Sequence, residues 1–89
     1  MENPSTRFEI KAAPNPTANH FTISILGANT SERLSLRVTD IFGRLIEYRP
    51  GLAWSSSLKI GSGYGQGVYI VEITQGSRQE KIKLVKLNN

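Results

Sequence analysis

Gly67-Val68-Tyr69-Ile70-Val71-Glu72-Ile73 and Lys81-Ile82-Lys83-Leu84-Val85-Lys86-Leu87 are two apolar runs separated by a polar link with Gly76-Ser77 at its centre. β-Branched and aromatic residues dominate both. Two such runs joined by a short glycine-containing link read as an antiparallel hairpin, and this hairpin decides the fold. Tyr69 alternates with Val71 and Ile73, which assigns its ring to the core. Lys81 and Lys83 alternate with Ile82 and Leu84, so a solvated strand face accounts for them. Lysine on a strand also discourages edge-to-edge aggregation.

Further toward the N-terminus the same period of two recurs. In the strand over residues 20–26, Phe21, Ile23 and Ile25 share one face while Thr22 and Ser24 share the other. Over 34–40, Leu34, Leu36 and Val38 point in, and Ser35, Arg37 and Thr39 point out. Asp40-Ile41-Phe42-Gly43 has Asp first and Gly fourth, the preference of a type I turn. Leu45-Ile46-Glu47-Tyr48 continues as a strand, and Pro50-Gly51 is expected to end it. Residues 8–11 and 56–60 are shorter strands. Ala13-Pro14-Asn15-Pro16 breaks the first strand with a rigid, extended turn, because each proline fixes its own φ and restricts the residue before it. About seven short strands punctuated by Gly and Pro predict an all-β, immunoglobulin-like antiparallel sandwich.

A chain of 89 residues forms one small domain and buries about 60–65% of its unfolded surface. Residues 1–6 read as linker and 7–89 as the domain. The hydrophobic fraction is 38%, and eight glycines bring it near the usual proportion, so a thin but folded core is expected. Without cysteine there are no disulfide staples, thiol nucleophiles or cysteine zinc sites. The N-terminus lacks the apolar run of a signal peptide, and no segment is long enough to span a bilayer as a helix. The chain is therefore expected to be either cytoplasmic or one piece of a longer exported protein.

No set of residues organises catalysis. Glycines in the 61–67 loop recur at every second position rather than as GxGxxG, and a strand follows instead of a helix, which leaves no phosphate cradle. The expectation there is a mobile loop leading into the last hairpin. His20 is the single histidine and has no companion at metal-ligand spacing. The carboxylates are scattered, and no G-x-S-x-G surrounds a serine. No enzyme activity, cofactor or metal is expected. The net charge of +4 raises nucleic acid as a partner, but only Arg78, Lys81, Lys83 and Lys86 cluster, and the strand pattern explains them without it. A small extracellular carbohydrate-binding sandwich is the alternative. It requires Trp54, Tyr48 and Tyr64 to be exposed on one face.

Three segments carry a resemblance when taken in order. Pro14-Asn15-Pro16 opens the domain, Asp40-Ile41-Phe42-Gly43-Arg44 lies at its middle, and Gly67-Val68-Tyr69 precedes a terminal lysine-rich strand. Over residues 13–87 the chain resembles the type A C-terminal sorting domain of the type IX (Por) secretion system of Bacteroidetes. The resemblance implies a signal that directs an N-terminally attached cargo, after transit through the periplasm, to the type IX outer-membrane translocon. It also implies removal by a sortase-like component when the cargo reaches the outer-membrane surface or the extracellular space. By the same resemblance, translocon recognition maps to Gly67, Val68, Tyr69, Lys81, Lys83, Val85 and Lys86. Pro14, Asn15, Pro16, Asp40, Gly43 and Arg44 would form the motif turns. An exposed hairpin edge also permits a strand-exchanged homodimer in isolation.

Overall fold

The computed structural model describes residues 8–27, 31–55 and 57–88. The linker expected over 1–6 lies outside them. Seven strands follow one another: β1 (Glu9–Ala13), β2 (Phe21–Leu26), β3 (Leu34–Asp40), β4 (Leu45–Leu52), β5 (Ser57–Ile60), β6 (Gly67–Gln75) and β7 (Arg78–Lys86). They form two antiparallel sheets, β1-β2-β5 and β4-β3-β6-β7. The chain changes sheet after β2, β4 and β5, so sequence neighbours lie in different layers and the fold is a sandwich rather than a meander.

Alternation builds the core. Phe21, Ile23 and Ile25 project from the three-stranded sheet, together with Phe8, Ile10 and Ile60. Leu34, Leu36, Val38, Tyr69, Val71, Ile73 and Leu84 meet them from the four-stranded sheet. Every inward assignment made above for β2, β3 and β6 is buried. Each such side chain contributes about 1.5–3 kcal/mol through removal from water.

Two boundaries differ from the sequence expectation. The final hairpin is tighter: Gln75 pairs with Arg78, leaving Gly76-Ser77 as a two-residue turn. Gly76 has φ +61 and Ser77 a negative φ, the type II′ arrangement whose twist suits a hairpin. The other difference is that β4 does not stop at Pro50 but runs on to Leu52. It is an edge strand, where a missing N–H need not break the ladder. The register also slips there. Leu34 faces Leu52 whereas Leu36 faces Arg49, so β4 carries an extra residue as a bulge, with Gly51 at φ +65, and a second one where Val38 faces Glu47 but Thr39 faces Leu45.

At the far end of the β6–β7 turn, the buried Gln75 donates its amide to the Glu32 carbonyl at 2.8 Å. Arg78 donates to the Glu32 carboxylate at 2.9 Å. The arginine singled out as part of a basic cluster is therefore tied to the loop before β3.

Candidate functional site

The β-sheet register gathers the three motif segments at one end of the four-stranded sheet. Asp40 at the end of β3 faces Tyr69 on β6, and Tyr69 faces Leu84 on β7. One step beyond, Val68 faces Val85 and Gly67 faces Lys86. Lys86 in turn bridges to Thr17, just past Pro14-Asn15-Pro16. Segments up to seventy residues apart in sequence thus meet within a few strand widths.

The Pro14-Asn15-Pro16 turn acts as a surrogate strand. Both X–Pro bonds, at Pro14 and at Pro16, are cis. The Asn15 side-chain oxygen accepts from the Val85 N–H at 2.9 Å, and its amide donates to the Lys83 carbonyl at 2.8 Å. Thr17 then donates its N–H to the Val85 carbonyl at 3.1 Å and accepts from the Leu87 N–H at 2.8 Å. Outer backbone groups of β7 between Lys83 and Leu87 are satisfied this way. A second sheet could pair with that stretch only after Asn15 and Thr17 had been displaced.

Lys86 does not face water. It is 3% exposed, and its ammonium donates to the Gly61 carbonyl and, at 3.4 Å, to that of Ser62. Alternation along β7 explains this, since the rule that turns Leu84 inward also turns Lys86 inward. Lys81 and Lys83 stand on the opposite face and are exposed. Lys81 lies 3.6 Å from the half-buried Glu72 across the hairpin, a partly exposed pair of small energetic weight. Val68 and Val85 are half-buried.

The glycine loop expected to be mobile is held at several points. Its first residues take the Lys86 ammonium, and the Tyr64 N–H closes a turn onto the Gly61 carbonyl at 3.1 Å. Tyr69 donates its hydroxyl to the Gly65 carbonyl at 2.7 Å, and its ring lies 4.9 Å from that of Tyr64. Tyr64 donates its own hydroxyl to Glu47 on β4. Burial, followed by this carboxylate, holds the Tyr64 phenol well above its ordinary pKa, so it stays protonated as the donor. Of the three aromatics a carbohydrate platform needs, Tyr48 is exposed, Tyr64 is engaged as described, and Trp54 packs against the core.

Asp40 organises its own turn. Its carbonyl accepts from the Gly43 N–H at 3.0 Å, closing the expected turn, and Gly43 takes φ +84. One carboxylate oxygen accepts from the amides of Phe42 at 2.9 Å and Arg44 at 3.0 Å. The other takes the Arg44 guanidinium at 2.6 Å. Burial alone would raise the Asp40 pKa. The hydrogen bonds from the Arg44 side chain and the two amides outweigh it, and the net shift is downward.

A depressed folded-state pKa means the unfolded chain binds this proton more readily. The contribution of Asp40 to stability is thus present above its ordinary value of 3.8 and is lost as pH falls through the lower folded value. Urea midpoints for the wild type and for Asp40→Asn should differ most near neutral pH and converge in acid. A gap that stays constant with pH would show that the charge contributes nothing.

Among the described residues, no group of three His, Cys, Asp or Glu side chains could hold a metal ion. Comparison with curated proteins finds no match. The model of the secretion system C-terminal sorting domain family, Por_Secre_tail, matches residues 11–87, nearly the whole chain and every element of the assembled end. By that match the protein belongs to the C-terminal sorting domain family of the type IX secretion system.

Proposed function

We propose that the assembled end of the four-stranded sheet is what the type IX translocon reads, and that the domain is removed by a sortase-like component once its cargo reaches the cell surface. Membership of the family makes this a C-terminal sorting signal of an exported protein, and the family is not one of enzymes. One observation carries the finer reading. The segments at 14–17 and at 67–69 meet the last residues of β7, and Asp40 lines up beside Tyr69 one strand further in.

Within that end the residues divide by exposure. Gly67, Tyr69, Asp40 and Lys86 shape it from buried or half-buried positions, with the exposed Gly43 closing the Asp40 turn, whereas Lys81, Lys83 and Arg44 present charge to a partner. Val68 and Val85 sit between them as a half-buried pair. Charged side chains at such a rim set orientation and encounter rate.

The chain is to be placed behind a signal peptide and a fluorescent protein in a Bacteroidetes host, with and without a working translocon. Surface or medium fluorescence should require the translocon. Lys81→Ala combined with Lys83→Ala should leave the domain folded and cut export by about tenfold, equivalent to about 1.4 kcal/mol of recognition. Fluorescence trapped in the periplasm of both strains would overturn the sorting role. Full export of the folded double variant would overturn recognition by the lysine face.

A further inference from the structure

The outer face of the four-stranded sheet carries side chains that packing does not explain. Residues directly opposite each other in an antiparallel ladder project from the same face. Two rows therefore cross all four strands there. In the order β4, β3, β6, β7, one runs Tyr48, Arg37, Glu72, Lys81 and the other Leu45, Thr39, Ile70, Lys83. Tyr48, Arg37, Leu45, Lys81 and Lys83 are exposed, whereas Glu72, Thr39 and Ile70 are half-buried. A shallow depression of about 320 Å³ lies among them, lined by Arg37, Thr39, Gly43, Ile70, Glu72 and Lys81. Near the end of β7 the outer backbone groups are taken by Asn15 and Thr17, so the face rather than that edge is open to a partner.

Charge on this face is one-sided. The two rows hold three cations and a single carboxylate, Glu72, which Lys81 already engages at 3.6 Å. Among the described residues neither the Arg37 guanidinium nor the Lys83 ammonium is ion-paired. The two stand on β3 and β7, two strand spacings or about 10 Å apart. A partner that matches both must offer two separate negative charges. A second copy of this chain would set three cations against three, with Glu72 already engaged on each side. A uniformly anionic lipid layer would meet Glu72 in the middle of its footprint. A protein surface can place carboxylates opposite Arg37 and Lys83 and leave the position opposite Glu72 uncharged, which is the patterned complementarity that gives an interface its specificity.

We propose that the sorting surface extends over this outer face, that Arg37 is a recognition residue within it, and that its partner is an acidic protein surface of the translocon with one carboxylate opposite Arg37 and another opposite Lys83. This rests on the reading of the domain as the signal read by the translocon and names the chemistry that reads it.

The export assay separates the two levels. Wild-type export that does not need the translocon removes the sorting role and this proposal with it. Where wild-type export does need the translocon, Arg37→Glu should cut it by at least about tenfold, because a like charge then faces the acidic surface. Arg37→Gln, which sets no like charge opposite Glu72, should lower export in the same direction while keeping the wild-type urea midpoint. Lys11→Glu is the control: it makes the same charge reversal at an exposed position of β1, in the other layer, and should be exported normally. Full export of both Arg37 variants, with wild-type export still translocon-dependent, overturns this proposal and leaves the sorting role standing. An equal loss for Lys11→Glu also overturns it, since net charge alone would then account for the effect. At physiological salt the wild type should not co-sediment with phosphatidylcholine–phosphatidylglycerol vesicles, and it should sediment alone as a monomer. Recovery with the vesicles would assign the face to a lipid surface, and a dimer that Arg37→Glu disrupts would assign it to a second copy; either overturns the proposal.

Discussion

Tyr69→Ala is expected to lower the unfolding free energy by about 3–5 kcal/mol, the usual cost of deleting a buried aromatic ring. For a domain of this size that is a large share of a total of about 5–15 kcal/mol. The ring is 8% exposed, and three contributions are lost together. The ring leaves a cavity beside Val71 and the rest of the core, the Tyr64 ring loses its neighbour, and the Gly65 carbonyl loses its donor. Tyr69→Phe separates them. It keeps ring and stacking and should cost about 1 kcal/mol for the hydrogen bond. Denaturant midpoints at equal slope measure both. A loss below about 1 kcal/mol for the alanine variant would mean that the ring does not hold the loop. In an export assay the phenylalanine variant should retain most function, since the hydroxyl is directed at Gly65 and not at a partner.

The second large effect is expected at Gly61, in a loop where substitutions would ordinarily be harmless. Its φ of +90 is unfavourable for any L side chain by about 1–2 kcal/mol. An added Cβ would also stand 2.8 Å from Cδ2 of Phe21 and 3.1 Å from Cε2. Phe21 is fully buried and cannot move aside, so about 1–3 kcal/mol of overpacking is added. Gly61→Ala should therefore cost about 2–5 kcal/mol in all. The backbone shift that relieves it would also move the carbonyl held by Lys86. Gly63→Ala is the matched control: it meets no heavy atom within 4 Å and lacks the positive φ, so it should be neutral or slightly stabilising. Equal midpoints for the two variants would disprove the packing account.

These two residues show what the sequence could and could not reveal. Tyr69 was legible, because alternation with Val71 and Ile73 places it inside whatever its partner strand turns out to be. The strands, the Asp40 turn and the inward faces of β2 and β3 were legible for the same reason. Gly61 was not. A positive φ against Phe21 arises from the way the end of β5 lies against β2, and periodicity says nothing about such approaches. Asn15 was hidden similarly, since hydrogen bonds to residues 83 and 85 leave no trace in local pattern. Lys86 is the instructive intermediate case. The period of two that turns Leu84 inward also turns Lys86 inward, whereas the sequence reading groups it with the exposed basic residues. The carbonyls of Gly61 and Ser62 resolve that conflict. For β4, Pro50 reads as a stop only when the strand is assumed to be interior; at a sheet edge it is tolerated.

The bonds between Asn15 and β7 join positions as much as 70 residues apart in a chain of 89. A polypeptide emerging from the ribosome in order cannot make them until residue 85 is out. Contacts of such span are also slow to form, because loop-closure entropy is lost before any bond compensates for it. Completion of this domain is therefore a late event. Whatever is encoded ahead of it has the whole interval of its own synthesis in which to move or be handed on while the tail is still open. A chain that stops before residue 83 lacks the closure altogether.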